Sequence, residues 1–142
     1  MNKRSVSSRI LMVDGILLLL VAAIHMLVIP ELNSLFARLL SPGAFRFIWP
    51  PFLLNHAVVG ILLIPLGLST IYCARGIRSG ERWSWRLGMT NAVTILSLPF
   101  VLVIVMERHY FSAMPFLVAT ILITVVALSM LWPLLWVRKE LR

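Results

Sequence analysis

Apolar residues dominate four long runs of the chain, and charged residues close each run. The runs cover about residues 10–29, 52–74, 85–106 and 114–137. A membrane-spanning helix needs about 20 predominantly apolar residues, so each run is long enough to cross a bilayer. The pattern therefore predicts an all-α integral membrane protein, a four-helix bundle that forms a single transmembrane domain over residues 1–142.

A shorter amphipathic pattern lies between the first and second spans. Its apolar positions recur at helical spacing: Leu32, Leu35, Phe36, Leu39 and Leu40. This predicts a short interfacial helix on the outer side, which acts either as a simple connector or as a lid over a site beneath it. Ser41-Pro42-Gly43 is expected to end that helix. An aromatic anchor is expected next, before Pro50-Pro51 opens the second span: Phe45, Phe47 and Trp49.

Composition supports the membrane assignment. Hydrophobic residues make up 61% of the 142 residues, charged residues 13%, and the mean hydropathy is +0.99. A soluble chain of this length could not bury that much apolar surface. The single cysteine, Cys73, excludes an intramolecular disulfide and a CxxC redox pair.

The basic residues predict the orientation in the membrane. Ten of the 13 lysines and arginines fall on one side of the predicted spans: Lys3, Arg4, Arg9, Arg75, Arg78, Arg82, Arg86, Arg138, Lys139 and Arg142. The other side carries three: Arg38, Arg46 and Arg108. The positive-inside bias predicts an inner-membrane protein with both termini in the cytoplasm. The net charge of +8 then reflects topology and anionic lipid headgroups, so nucleic acid is not expected as a partner.

Helical spacing also predicts which faces look inward. Asp14, Leu18, Ala22 and His25 share one stripe of the first span. His56, Gly60 and Gly67 share a stripe of the second span, where glycines permit close helix packing. A looser polar stripe in the third span consists of Asn91, Thr94 and Ser97.

The candidate site lies near the outer face. His25 and His56 are expected at similar depth on different helices, and Glu107 and His109 belong to the same side. Imidazole and carboxylate groups suit copper, zinc or iron, with His25 and His56 as the metal ligands. The same two histidines could ligate haem axially, or bind a quinone. They could equally be structural, since an imidazole in a bundle is often hydrogen-bonded to the protein alone.

A second polar candidate lies at the inner side. Asp14 is one turn inside the first span, where a carboxylate is costly unless it is paired. We expect a structural polar pair between Asp14 and Arg86, at the start of the third span. A proton relay from Asp14 towards His25 is the functional alternative, although eleven residues separate the two along the helix.

The layout resembles small DoxX-like four-helix membrane proteins. The matching features lie in the first half of the chain: Ala23-Ile24-His25, Pro30, the amphipathic outer segment, Gly60 and Gly67. The resemblance implies the four-helix fold and a redox-associated membrane setting. Members of that family often carry a glutamate at the opening of the second span, where this chain has His56.

No motif in the sequence fixes a reaction, so three functional hypotheses stay open. The first is a redox-associated protein that binds a metal, haem or quinone at a His/Glu site. The second is an accessory or assembly subunit that packs against larger membrane-complex subunits or forms a homo-oligomer. The third is a small proton-coupled exporter, which usually depends on an acid deep within a span.

The predicted orientation can be tested with reporter fusions in cells. At the C-terminus, a reporter that functions only in the cytoplasm should be active and one that functions only in the periplasm should be inactive, because the basic residues favour a cytoplasmic location for that end. A reporter inserted between Ser41 and Phe45 should behave in the opposite way. A periplasmic C-terminus would contradict the topology.

Overall fold

The computed structural model of the protein describes residues 2–105 and 114–141. Within these residues it is all-helical and has no strand. The α-helices are α1 (Lys3–Leu27), α2 (Ile29–Leu39), α3 (Pro42–Ser79), α4 (Arg82–Val105) and α5 (Met114–Val137), and a 3-10 helix follows at Arg138–Glu140. The all-α prediction is confirmed.

Four of these helices, α1, α3, α4 and α5, are long and apolar enough to cross a membrane. Large apolar side chains are widely exposed on them, for example Leu27 at 77% and Ile104 at 81%. Exposed apolar surface on this scale suits contact with lipid tails and not with water. The four predicted spans are thus confirmed as four apolar helices.

Helix α3 begins ten residues before the predicted start of the second span. Its first residue is Pro42, a position where the missing N–H costs nothing, and the Ser41 hydroxyl accepts a hydrogen bond from the Ala44 amide at 3.4 Å. Pro50 and Pro51 lie inside the helix. The helix therefore begins earlier than the predicted span and continues through both prolines, which are tolerated in membrane-spanning helices; that the membrane-crossing part of α3 opens at Pro50-Pro51 stays a prediction. The aromatic segment before them is helical.

Helix α2 confirms the predicted short amphipathic helix. Only Val28 separates it from α1, and Leu40 adopts an extended conformation after its end. None of its residues is fully buried. Its polar face is held locally, since Ser34 donates to the Glu31 carbonyl at 2.9 Å and Arg38 to the Ser34 carbonyl at 3.2 Å.

The chain divides into two compact units. We call residues 16–68 the central unit and residues 1–15 with 69–142 the terminal unit. The central unit holds α2 and the adjoining parts of α1 and α3. The terminal unit holds α4, α5 and the remaining parts of α1 and α3. The single transmembrane domain over 1–142 stays a prediction.

Small residues and carbonyl contacts hold the terminal unit together. A Cβ at Gly76 would lie 2.6 Å from the Cβ of Ser84, so α3 and α4 approach closely there. Ser7 donates to the Pro133 carbonyl at 3.2 Å, and the Trp85 indole donates to the Leu134 carbonyl at 2.9 Å. Leu134 lies in the last turn of α5 and Trp85 in the first turn of α4, so the indole ties the start of α4 to the end of α5.

Candidate functional site

The structure stacks the rings of His25 and His56 within the central unit. Their centroids are 4.6 Å apart and their planes are inclined by 24°. Gly60, one turn after His56, explains the close approach. A Cβ there would lie 3.2 Å from the His25 Cβ and 3.0 Å from the Met26 sulfur. This contact confirms the expectation that the two histidines lie at similar depth on different helices.

The two imidazoles differ in their hydrogen bonding. His25 Nδ1 lies 3.1 Å from the Val21 carbonyl, one turn earlier in α1, and donates its proton there. In the neutral ring this leaves a lone pair on His25 Nε2. His56 Nε2 is buried and has no hydrogen-bond partner among the described residues. Such an atom has lost its contact with water without compensation, so a ligand group that bonds to it gains stability.

An aromatic stripe on α3 leads to His56. Phe45, Trp49, Phe52 and His56 are spaced by four, three and four residues, which places them on one face of the helix. Successive ring centroids along this stripe are 5.9, 5.9 and 6.0 Å apart. The histidine pair is therefore the polar end of a continuous series of aromatic contacts.

Helix α2 covers part of the aromatic stripe. The Phe36 ring lies 4.6 Å from the Phe52 ring and 5.5 Å from the Trp49 ring, between centroids. Phe47 points elsewhere and is 85% exposed, so only two of the three predicted anchor residues join the stripe. These contacts pack α2 against the stripe, and its two alternative roles, a connector or a lid over a site, both stay predictions.

The stacked pair does not have the geometry of a two-histidine metal chelate. A metal ion lies in the plane of each ligating imidazole, about 2.0–2.1 Å from the nitrogen for zinc. The stacked planes of His25 and His56, inclined by only 24°, converge far beyond the length of such a bond. No group of three or more potential metal ligands occurs among the described residues. Glu107 and His109, which were predicted as cofactor-binding residues of the same site, lie outside the described residues.

Axial ligation of one haem by this pair meets the same difficulty. Axial histidines approach iron from opposite faces of the macrocycle, with the haem plane between them. The rings of His25 and His56 are instead in direct stacking contact, with 4.6 Å between centroids. A haem plane does not fit between them in this arrangement.

Asp14 pairs with Ser129 instead of Arg86. The Ser129 hydroxyl donates to Asp14 Oδ1 at 2.5 Å, and Asp14 is only 3% exposed. Among residues 2–105 and 114–141, one ion pair is formed, between Lys3 and Glu140. Asp14 and Arg86 do not pair, so the predicted polar pair is wrong. Asp14 Oδ2 is buried and has no hydrogen-bond partner in the described part of the chain.

The relative depth of the helices explains this correction. Ser7 and Trp85 reach adjacent carbonyls of α5, so Arg86 lies at about the level of Ser7. Asp14 is seven residues further along α1, roughly 10 Å deeper at a rise of 1.5 Å per residue. Arg86 is exposed near the start of α4.

Sequence reasoning also missed part of the buried polar structure. Asn91 Nδ2 donates to Ser69 Oγ at 2.8 Å and to Thr70 Oγ1 at 3.1 Å, which ties α4 to α3. Thr94 and Ser97, predicted on the same inward stripe as Asn91, are exposed. The Ser97 hydroxyl donates to the Thr94 carbonyl at 2.7 Å, so an exposed hydroxyl in an apolar helix is satisfied by its own backbone.

Comparison with known proteins does not extend these observations. No protein-family model matches the chain, and neither a curated protein nor a solved structure matches it. The resemblance to DoxX-like proteins stays a prediction. The functional conclusion therefore depends on the geometry of the site.

A double-mutant cycle can test the partner of Asp14. We expect Asp14→Ala and Ser129→Ala to show a coupling of about 1 kcal/mol in the free energy of unfolding, measured in detergent micelles, because they remove one shared buried hydrogen bond. Asp14→Ala and Arg86→Ala should be additive within about 0.5 kcal/mol. Strong coupling to Arg86 and none to Ser129 would contradict the contact seen here.

Proposed function

We propose that the protein binds a membrane quinone at the histidine pair. One observation carries the proposal: His56 Nε2 is buried without a partner beside His25, at the end of an aromatic stripe. The site thus combines an unsatisfied hydrogen-bonding atom with flat apolar surfaces. Ligand sites typically have this composition, mostly apolar and aromatic with few polar groups.

Quinone chemistry matches both parts of this site. A quinone presents carbonyl oxygens that accept hydrogen bonds, and its reduced form presents hydroxyl groups that donate them. A neutral imidazole has one donor and one acceptor nitrogen, so it can bond to either form. His25 Nε2 carries the lone pair that accepts from a quinol hydroxyl, because its Nδ1 donates to Val21.

The aromatic residues suit the rest of the ligand. A planar quinone ring packs in offset or edge-to-face contact with the rings of Phe52 and Trp49, and such contacts stabilise aromatic pairs by about 0.5–1.5 kcal/mol. Phe36 of α2 completes this surface. An apolar tail is compatible with lipid, to which the spanning helices expose their large apolar side chains.

Metal ions and haem fit the arrangement of His25 and His56 less well than a quinone does. Copper, zinc or iron at His25 and His56 would need the rings to turn out of their stacked contact. Axial haem ligation would need them to separate. The quinone proposal requires neither change, and Glu107 and His109 stay candidate neighbours of the site.

The proposal places the protein in the inner membrane as a multi-pass protein, with both termini in the cytoplasm. The distribution of lysine and arginine supports this orientation. Membrane lipids are its surrounding partners. Association with larger membrane-complex subunits or with further copies of this chain is compatible with quinone binding, since quinones carry electrons between membrane proteins.

A proton-coupled exporter is the second candidate function, and Asp14 favours it. The hydrogen-bond partner of Asp14, Ser129, lies eight residues before the end of α5. At a rise of 1.5 Å per residue, this places Asp14 roughly 12 Å from the level of that helix end. This is deeper than the sequence alone implied, and Oδ2 has no partner among the described residues. Export would depend on Asp14 and not on His56, which distinguishes it from the quinone proposal.

Fluorescence of Trp49 can report quinone binding. It is one of five tryptophans, and the other four, at positions 83, 85, 132 and 136, belong to the terminal unit. Titration of reconstituted protein with a short-chain quinone should give saturable quenching of the Trp49 component, which Trp49→Phe removes. His56→Leu should weaken binding roughly tenfold, the effect of losing one buried hydrogen bond.

Asn55 supplies the matched control for this experiment. It is the neighbour of His56 in α3 but is exposed, so Asn55→Leu should bind quinone like the unaltered protein. The proposal fails if His56→Leu binds quinone with unchanged affinity while the variant is folded. It fails equally if the quenching persists undiminished in Trp49→Phe.

A further inference from the structure

A basic pocket lies in the terminal unit, near the place where the start of α1 meets the 3-10 helix that follows α5. Lys3 Nζ is 3.4 Å from Glu140 Oε1, which joins the start of α1 to the 3-10 helix after α5. Beside this contact is a pocket of about 420 Å³. Four cations and two apolar residues line it: Arg82, Arg86, Arg138, Lys139, Trp85 and Leu141.

The cations converge on the pocket from two elements. Arg82 and Arg86 are one turn apart, so they share a face of α4. Arg138 and Lys139 come from the 3-10 helix. The Arg138 guanidinium lies 5.3 Å from the centroid of the Trp85 ring, and the indole of Trp85 is fixed by the Leu134 carbonyl. This cation–π contact positions Arg138 beside the other cations.

The positive charge of the pocket is not neutralised within the described part of the chain. Glu140, the acid that directly follows Lys139, forms its ion pair with Lys3. No ion pair between an acidic group and any of the four pocket cations occurs among residues 2–105 and 114–141. The like charges around the pocket repel each other. A bound anion would be attracted to each of them, and this attraction would offset the repulsion.

We propose that this pocket binds the phosphate of an anionic glycerophospholipid. Arginine side chains match phosphate with paired, charge-assisted hydrogen bonds. The pocket lies where the apolar helix α4 begins and the apolar helix α5 ends, and both of these termini carry charged residues, as expected at the depth of lipid headgroups. Lipid is favoured over free phosphate because exposed apolar side chains precede Arg138 on α5, with Leu135 at 52% and Trp136 at 40%.

Native mass spectrometry of the purified full-length protein tests the proposal. The unaltered protein should retain added phosphatidylglycerol or cardiolipin in preference to phosphatidylcholine. The double variant Arg86→Gln with Arg138→Gln should bind the anionic lipid roughly tenfold or more weakly, because it removes two charge-assisted hydrogen-bonding groups from the pocket itself. Both residues are exposed, so the substitutions leave no buried polar group unpaired.

A charge-matched control separates this site from general attraction to the membrane. Arg75 and Arg78 lie on the same side of the predicted spans and are exposed, but they do not line the pocket. Arg75→Gln with Arg78→Gln should leave anionic-lipid binding within about twofold, although the net charge changes equally. Circular dichroism confirms that both variants are folded before lipid is added.

Three outcomes would overturn the proposal. Equal weakening in both double variants would mean non-specific attraction by net charge. Equal retention of phosphatidylcholine and phosphatidylglycerol by the unaltered protein would exclude a site for anionic lipid. Displacement of bound lipid by millimolar inorganic phosphate, with phosphate retained in its place, would assign the pocket to a free phosphate ligand.

Discussion

Lipid hydrocarbon offers no hydrogen-bond partner, and this constraint governs the polar groups of the spanning helices. His25 bonds to its own helix through the Val21 carbonyl, Asn91 bonds to Ser69 and Thr70, and Trp85 bonds to a carbonyl at the end of α5. Among the described residues, the buried side-chain atoms left without a partner are His56 Nε2 and Asp14 Oδ2. Unpaired atoms are costly in this setting, so they mark the places where a ligand or a proton is expected to act.

The continuity of α3 links the histidine pair to its aromatic surroundings. Because the helix runs unbroken through Pro50 and Pro51, residues before and after the prolines keep the same helical register. Trp49 and His56 therefore share one face, and Gly60 brings that face against α1 at His25. A break at the prolines would have removed this alignment. The unbroken helix thus holds the flat rings of Trp49 and Phe52 on the same face as the imidazole of His56.

Helix periodicity predicted the spanning helices, the amphipathic α2 and the meeting of His25 with His56. Such features follow from hydrophobicity and from angular position along a single helix. The partner of Asp14 did not follow, because it depends on how far one helix is shifted along another, which no single helix encodes. The role of Phe45 and Trp49 was missed because the paired prolines were interpreted as a helix start. The spacing of four, three and four residues from Phe45 to His56 was a signal that could have revealed the stripe.

Magic-angle-spinning NMR of histidine-labelled protein in bilayers tests the central claim most directly, since the chain has three histidines. Signals are assigned with His25→Gln and His56→Gln. We predict through-space contacts between the two rings, a protonated Nδ1 and an unprotonated Nε2 in His25, and a shift of the His56 Nε2 signal when a short-chain quinone is added. Rings without mutual contact, or a His56 Nε2 signal unchanged at saturating quinone, would contradict the account.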